Sequence, residues 1–129
     1  MKKYENFCAA LSNLKEIYKY SESYDTVILT GLVGLYEVCF EQAWKMMKEI
    51  LEAYGFEQGA TGSPKTILKT AYKAGMISDE TLWLKALQER NNVTYSYNRE
   101  IALEIVRLTK SEFYDMFCTL KKEVEAHWK

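Results

Sequence analysis

The sequence predicts an all-α protein, an up-and-down helical bundle of four long helices plus one shorter helix. Three observations carry this reading. The 129 residues hold one Pro and six Gly, too few for the many turns of a sandwich or barrel. Apolar residues recur every three or four positions over most of the chain, and no stretch alternates as a strand would. A composition of 48% hydrophobic and 27% charged residues supplies a core that a disordered chain lacks. The length fits one domain over residues 1–129.

The first helix is predicted from about Tyr4 to Tyr20, on the spacing of Phe7, Cys8, Leu11, Leu14, Ile17 and Tyr18. The second runs from about Tyr24 to Tyr54 and stops where Gly55 can turn left-handed. Its first half is apolar nearly all round, and its second narrows to a stripe of Ala43, Met47, Ile50 and Leu51. That change predicts a helix central at its start and exposed toward its end. Gly31 and Gly34 weaken helix propensity there, which predicts close approach of a neighbouring backbone.

A loop is expected over Phe56 to Gly62. Ser63 then caps a third helix, with Pro64 in its first turn and Gly75 near its end. Ser78 is expected to cap a fourth, with Asp79 and Glu80 complementing the helix dipole. That helix carries Leu82, Trp83, Ala86 and Leu87 to about Asn91. After a break over Asn92–Tyr97, Asn98 caps a last helix marked by Ile101, Ile105, Leu108, Phe113, Phe117, Leu120, Val124 and Trp128.

Several function classes recede on composition. Seventeen basic against eighteen acidic residues give a formal charge of -1, so nucleic-acid contact has to be local. No apolar run follows the basic N-terminus, which predicts a cytoplasmic protein. The most apolar stretch, Thr26 to Phe40, is shorter than the roughly 18 residues of a spanning helix, so no membrane association is expected. Cys8, Cys39 and Cys118 lie far apart in apolar-periodic segments and read as core thiols. The stretch Gly59-Ala60-Thr61-Gly62-Ser63-Pro64-Lys65-Thr66 lacks the strand and the Gly-Lys junction of a phosphate-binding loop. Only Asp25, Asp79 and Asp115 are present, so no neighbouring Asp pair is available for a catalytic Mg²⁺.

Two constellations remain. Glu37, Glu41 and Trp44 stand at i, i+4 and i+7 on one face of the second helix, with Lys45 beside them. The like charges call either for a partner cation in a pocket or for a solvated helix edge. Trp83 through Asn98 crowds Arg90, Asn91, Asn92, Thr94, Tyr95, Ser96 and Tyr97 at the junction of two helices. These residues suit phosphate and base recognition, but taken by themselves they fit better an interhelical turn that satisfies helix ends.

From about Tyr36 to Trp128 the chain resembles the nucleotidyltransferase substrate-binding subunits, members of the wider HEPN group of helical domains. The family pattern F-E-x-x-x-E-x-x-W-K is met by Tyr36-Glu37-Val38-Cys39-Phe40-Glu41-Gln42-Ala43-Trp44-Lys45, with Tyr leading. Ser63-Pro64-Lys65 and Ala71-Tyr72-Lys73-Ala74-Gly75-Met76-Ile77 follow the family's S-P-[KR] start and A-x-x-x-G-[LM]-I ending. Trp83 through Arg90-Asn91 matches its W-x-x-x-x-x-x-R-N. The family motif then runs R-x-x-x-x-H-x-Y, met by Arg90 and Tyr97 but with Tyr95 at the His position.

The resemblance implies a non-catalytic, substrate-binding subunit acting as a homodimer beside a separately encoded minimal nucleotidyltransferase. The partner would carry Mg²⁺ and ATP or another NTP. In this chain Glu37, Glu41, Trp44, Lys45, Trp83, Arg90, Asn91, Asn92, Tyr95 and Tyr97 would hold the substrate, with nucleotide or RNA at Arg90–Tyr97. Related toxin–antitoxin pairs imply Tyr97 as a nucleotidyl acceptor. The alternative that the resemblance carries is a HEPN-type ribonuclease toxin neutralised by its nucleotidyltransferase. Against it, position 95 holds a Tyr, and phenols, with an ordinary pKa of about 10, are poorer bases near neutrality than imidazoles of about 6.5.

Overall fold

The computed structural model describes residues 1–56 and 62–129, all-α and without a strand among them. Glu57 to Thr61, which include part of the expected loop and of the phosphate-loop-like stretch, lie outside the described residues. Helix α1 (Lys2–Leu14) passes into a 3₁₀ turn, Lys15–Lys19, so the first predicted helix tightens over its last third. Helix α2 (Thr26–Ala53) starts on Asp25, whose carboxylate accepts from the Ile28 N–H at 2.8 Å.

Helices α2 and α3 (Pro64–Lys73) close in the same way. Gly55 and Gly75 adopt φ of 86° and 83°. Phe56 N–H then reaches the Leu51 carbonyl at 2.9 Å, and Met76 N–H reaches that of Ala71 at 2.9 Å. This double closure satisfies carbonyls that a helix end leaves open, and only Gly takes the left-handed turn without strain. Ser63 caps α3 as expected, accepting from the Thr66 N–H.

Helix α4 (Glu80–Asn92) corrects one assignment. Its cap is Asp79, whose carboxylate accepts from Leu82 N–H at 3.0 Å, and not Ser78. Both residue types cap well, and the path out of the Gly75 turn puts the helical φ, ψ one residue later. A 3₁₀ turn, Val93–Tyr95, then leads to Asn98, which caps α5 (Arg99–Leu108) through bonds from Glu100 and Ile101 N–H. A π-helical turn at Thr109–Phe113 joins α5 to α6 (Tyr114–His127), so the last predicted helix contains a change of pitch. Thr109 and Phe113 are both fully buried there. The wider turn rotates the apolar stripe that follows, keeping Phe117, Leu120 and Val124 in the core.

Helix α2 is the axis of the molecule, packing against α1, α3, α4 and α5. Its length and composition would suffice to cross a bilayer. Yet Tyr36, Cys39, Phe40, Ala43, Met46 and Met47 along it are all fully buried against protein. Tyr36 stacks on Phe113 at 5.4 Å, and Trp83 meets Phe40 at 6.1 Å and Phe117 at 5.6 Å. Such ring pairs contribute about 0.5–1.5 kcal/mol each beyond the area they bury. The Tyr36 hydroxyl donates to the Ala86 carbonyl at 2.5 Å, fastening α4 to α2.

The expected gradient along α2 is not found, because both halves bury a stripe, Leu29, Leu32, Val33 and Tyr36 in the first. The apolar first half still leaves Val27 81% and Val38 53% exposed, while the second half buries Met46, Met47, Ile50 and Leu51. Gly31 and Gly34 have open space where a Cβ would stand, so no neighbouring backbone among the described residues approaches them. Of the thiols, Cys39 is in the core, whereas Cys8 and Cys118 are half-buried. Burial pushes the Cys39 thiol far above its usual range, and Cys118 nearby adds to this.

Candidate functional site

The end of α4 and the middle of α2 meet at one carboxylate. Glu41 accepts from Arg90 Nε at 2.5 Å through one oxygen and from Trp44 Nε1 at 2.9 Å through the other. The Glu41 and Arg90 side chains are 23% and 26% exposed, so the pair stands at the rim of the core, partly shielded from water. Arg90 Nη1 also donates to Asn91 Oδ1 at 3.2 Å. The remaining guanidinium nitrogen, Nη2, makes no hydrogen bond among the described residues. A guanidinium fixed along one edge by a carboxylate and open along another is oriented to receive an anion.

Glu37, one turn earlier on α2, makes no hydrogen bond or ion pair among the described residues, so Glu41 alone orients Arg90. The cation that the Glu pair called for is therefore found, 49 residues away in sequence. Behind it lies Tyr36, whose phenol is pushed far up by burial, with Glu89 and Cys39 adding and Arg90 opposing.

Beyond Arg90 the chain tightens and surfaces. Gln88 Nε2 donates to Asn92 Oδ1 at 3.2 Å, and the Ser96 hydroxyl donates to the Val93 carbonyl at 2.7 Å. Thus Ser96 satisfies a carbonyl at the helix end, as the plain-turn reading required, while Asn92 is tied to the Gln88 side chain one turn earlier. The side chains of Tyr95 and Tyr97 do neither. They are 54% and 87% exposed, and neither hydroxyl makes a hydrogen bond among the described residues. The turn is thus a structured helix junction that carries two outward phenols.

Two expected members lie elsewhere. Trp83 is only 2% exposed and packs on Phe40 and Phe117, so it supports α4 from the core and does not wall a cleft with Tyr95 and Tyr97. Its edge borders a different cleft, of about 330 Å³, together with Asp79, Glu112, Asp115 and Glu123. Lys45 is exposed and faces a groove shared with Lys3 and Lys48. One residue beside the site was not foreseen. Glu89, half-buried before Arg90, has its carboxyl pushed up by burial and by Glu104, against Asn92 and Lys85. No local pattern marks it, since Glu104 comes from α5.

Among the described residues no group of three His, Cys, Asp or Glu side chains is placed to hold a metal ion, the carboxylates that border the cleft beside Trp83 included.

Comparison with known proteins agrees with this architecture. The family described as nucleotidyltransferase substrate binding protein like matches residues 2–126. A Haemophilus influenzae protein named probable ribonuclease HepT is 31% identical over 91 residues. Those residues are 63% of this chain and 56% of that protein, so the match spans little more than half of the relative. Two solved structures share the fold, each over 95% of this chain and 98% of theirs. One, from Haemophilus influenzae, is described as revealing the fold of a substrate binding domain of a nucleotidyltransferase, with TM-score 0.81 at 20% identity. The other is a Thermus thermophilus protein, with TM-score 0.72 at 24% identity.

Proposed function

The chain belongs to the nucleotidyltransferase substrate binding protein like family, and from that premise we propose that it is the substrate-binding, non-catalytic subunit of a two-component nucleotidyltransferase. It acts in the cytoplasm as a homodimer beside a separately encoded catalytic subunit. The observation that carries this reading is the Glu41 fork, which holds Arg90 and Trp44 at once next to the exposed Tyr95 and Tyr97. Arg90 takes a phosphate of the substrate, Asn91 and Asn92 hydrogen-bond it, and the two tyrosines flank it. Mg²⁺ and ATP or another NTP reside on the partner, because this chain's described residues do not fit a metal.

Tyr97 is the nucleotidyl acceptor on this reading. Its hydroxyl oxygen forms a bond to the α-phosphorus, the bond to the bridging oxygen breaks, and pyrophosphate leaves with that electron pair. The phenolic proton passes to a base of the partner, and Arg90 balances charge on the transferred phosphate. An exposed phenol suits this role because a second protein has to reach it.

The second copy covers the first half of α2, where Val27, Gly31, Gly34 and Val38 follow one another along one face. Two glycines in such a stripe let a partner helix approach closely.

A second reading, a HEPN-type ribonuclease toxin held in check by a nucleotidyltransferase antitoxin, is favoured by the named Haemophilus relative. Tyr95 at the motif's His position weighs against it. One experiment separates the two. The chain is incubated with the nucleotidyltransferase encoded beside it, Mg²⁺ and ATP, and its mass is measured. We expect an adenylate-sized increment that Tyr97→Phe removes. RNA cleavage by the purified chain alone, abolished by Arg90→Ala, would establish the toxin reading instead.

A further inference from the structure

Lys3 near the start of α1 and Lys45 and Lys48 on the second half of α2 converge on one groove of about 460 Å³. Glu49, Glu52 and the side chain of Trp44 complete its lining. None of the three lysines forms an ion pair among the described residues. Lys3 and Lys48 are nevertheless half-buried. Three lysines outnumber the two glutamates of the groove, and their ammonium groups, none ion-paired among the described residues, are available to an anion. Trp44 sets the character of this anion. Its indole N–H is committed to Glu41, which fixes the ring, and a fixed indole along a basic groove is a stacking platform for a base.

We propose that this groove binds a base-bearing phosphate, with Lys3, Lys45 and Lys48 on the phosphates and Trp44 stacked on the base. Glu49 and Glu52 repel phosphate and so orient the ligand with its charged end toward the lysines. The chemistry is common to a free nucleoside triphosphate and to the end of a single-stranded RNA. The inference rests on the substrate-holding reading and deepens it. It adds Lys3 and Lys48, and it joins the groove to Arg90 through the carboxylate that Trp44 and Arg90 share.

The test titrates the full chain with ATP and, separately, with a short single-stranded oligoribonucleotide. Tryptophan fluorescence gives the signal, and Trp44→Phe identifies its source among the three tryptophans. The double variant Lys3→Gln/Lys48→Gln should bind the preferred probe about tenfold more weakly, with a shallower salt dependence. Glu49→Gln/Glu52→Gln should bind it more tightly. Stronger binding of ATP assigns a free nucleotide, and stronger binding of the oligoribonucleotide assigns RNA. Absence of binding to either probe would overturn the inference, as would unchanged affinity in the lysine variant whose melting curve matches the native chain. Because the probe meets the chain alone, an unmodified Tyr97 in the partner assay would leave this result standing.

Discussion

The two halves of α2 each bury a stripe in the core and differ in what they leave outside. The first half is the more apolar, yet it leaves Val27 and Val38 in solvent and borders an open groove with Tyr20, Ile28, Gly31 and Leu35. The second half is amphipathic, yet it packs the deepest methionines and presents Glu41, Trp44, Lys45 and Lys48 along its polar edge. Hydrophobicity states which surface is better off away from water, and the neighbouring elements decide which surface gets covered. The apolar stripe left outside on the first half is the surface proposed for a second copy. A polar edge braced by Arg90 from another helix is a candidate site.

The largest effect that would break this contrast is on assembly. Introducing charge on the open face of the first half, by Val27→Glu with Val38→Glu, should convert the proposed homodimer into a 15.1 kDa monomer at micromolar concentration. Light scattering measures this directly, and the melting temperature of the isolated chain should change little because both sites are exposed. A native chain that is already monomeric would remove the partner from the open face.

A middle-sized effect belongs to the other half. Glu41→Ala removes the acceptor of two hydrogen bonds and leaves Arg90 and Trp44 without their shared partner. The expected loss is about 1–2 kcal/mol, discounted for partial exposure, and a fall in melting temperature of several degrees. Glu37→Ala, on the same face but without a bond partner among the described residues, should cost less than about 0.5 kcal/mol. Equal losses from the two variants would sink the distinction between them.

The smallest effect concerns α4 where it faces that corner. The carboxyl of Glu89 is raised in the folded state, so the folded chain binds its proton more tightly than the unfolded chain does. Stability contributed by the protonated form is full below the ordinary carboxylate pKa and is lost as pH rises through the raised value. Glu89→Gln should therefore melt slightly higher than the native chain at pH 7. That advantage should vanish on acidification below pH about 4, which paired melting curves would reveal.

Much of the fold was legible because its signals are local. Asn98, Ser63-Pro64, Gly55 and Gly75 each act on residues within a few positions, and each occupies the expected place at a helix end. The single mistaken cap lies between adjacent Ser78 and Asp79, both good caps, where the preceding turn had the deciding role. The candidate site was legible in part. Arg90, Asn91, Tyr95 and Tyr97 cluster in sequence, and they stand at one helix junction. Trp83, in the same run, turned inward because α4 needs an anchor on Phe40 and Phe117.

Composition, helical periodicity and capping chemistry thus determined from sequence alone an all-α chain, its helix ends and the polar junction after α4. Only the tertiary structure decided which glutamate meets Arg90, which apolar face of α2 stays open, and that Lys3 joins Lys45 and Lys48 in one groove. The physical reason is range. Helix formation and capping depend on groups three or four residues apart along the chain. Glu41 and Arg90 are separated by 49 residues, and their interaction energy depends on a distance in space that no window of sequence contains.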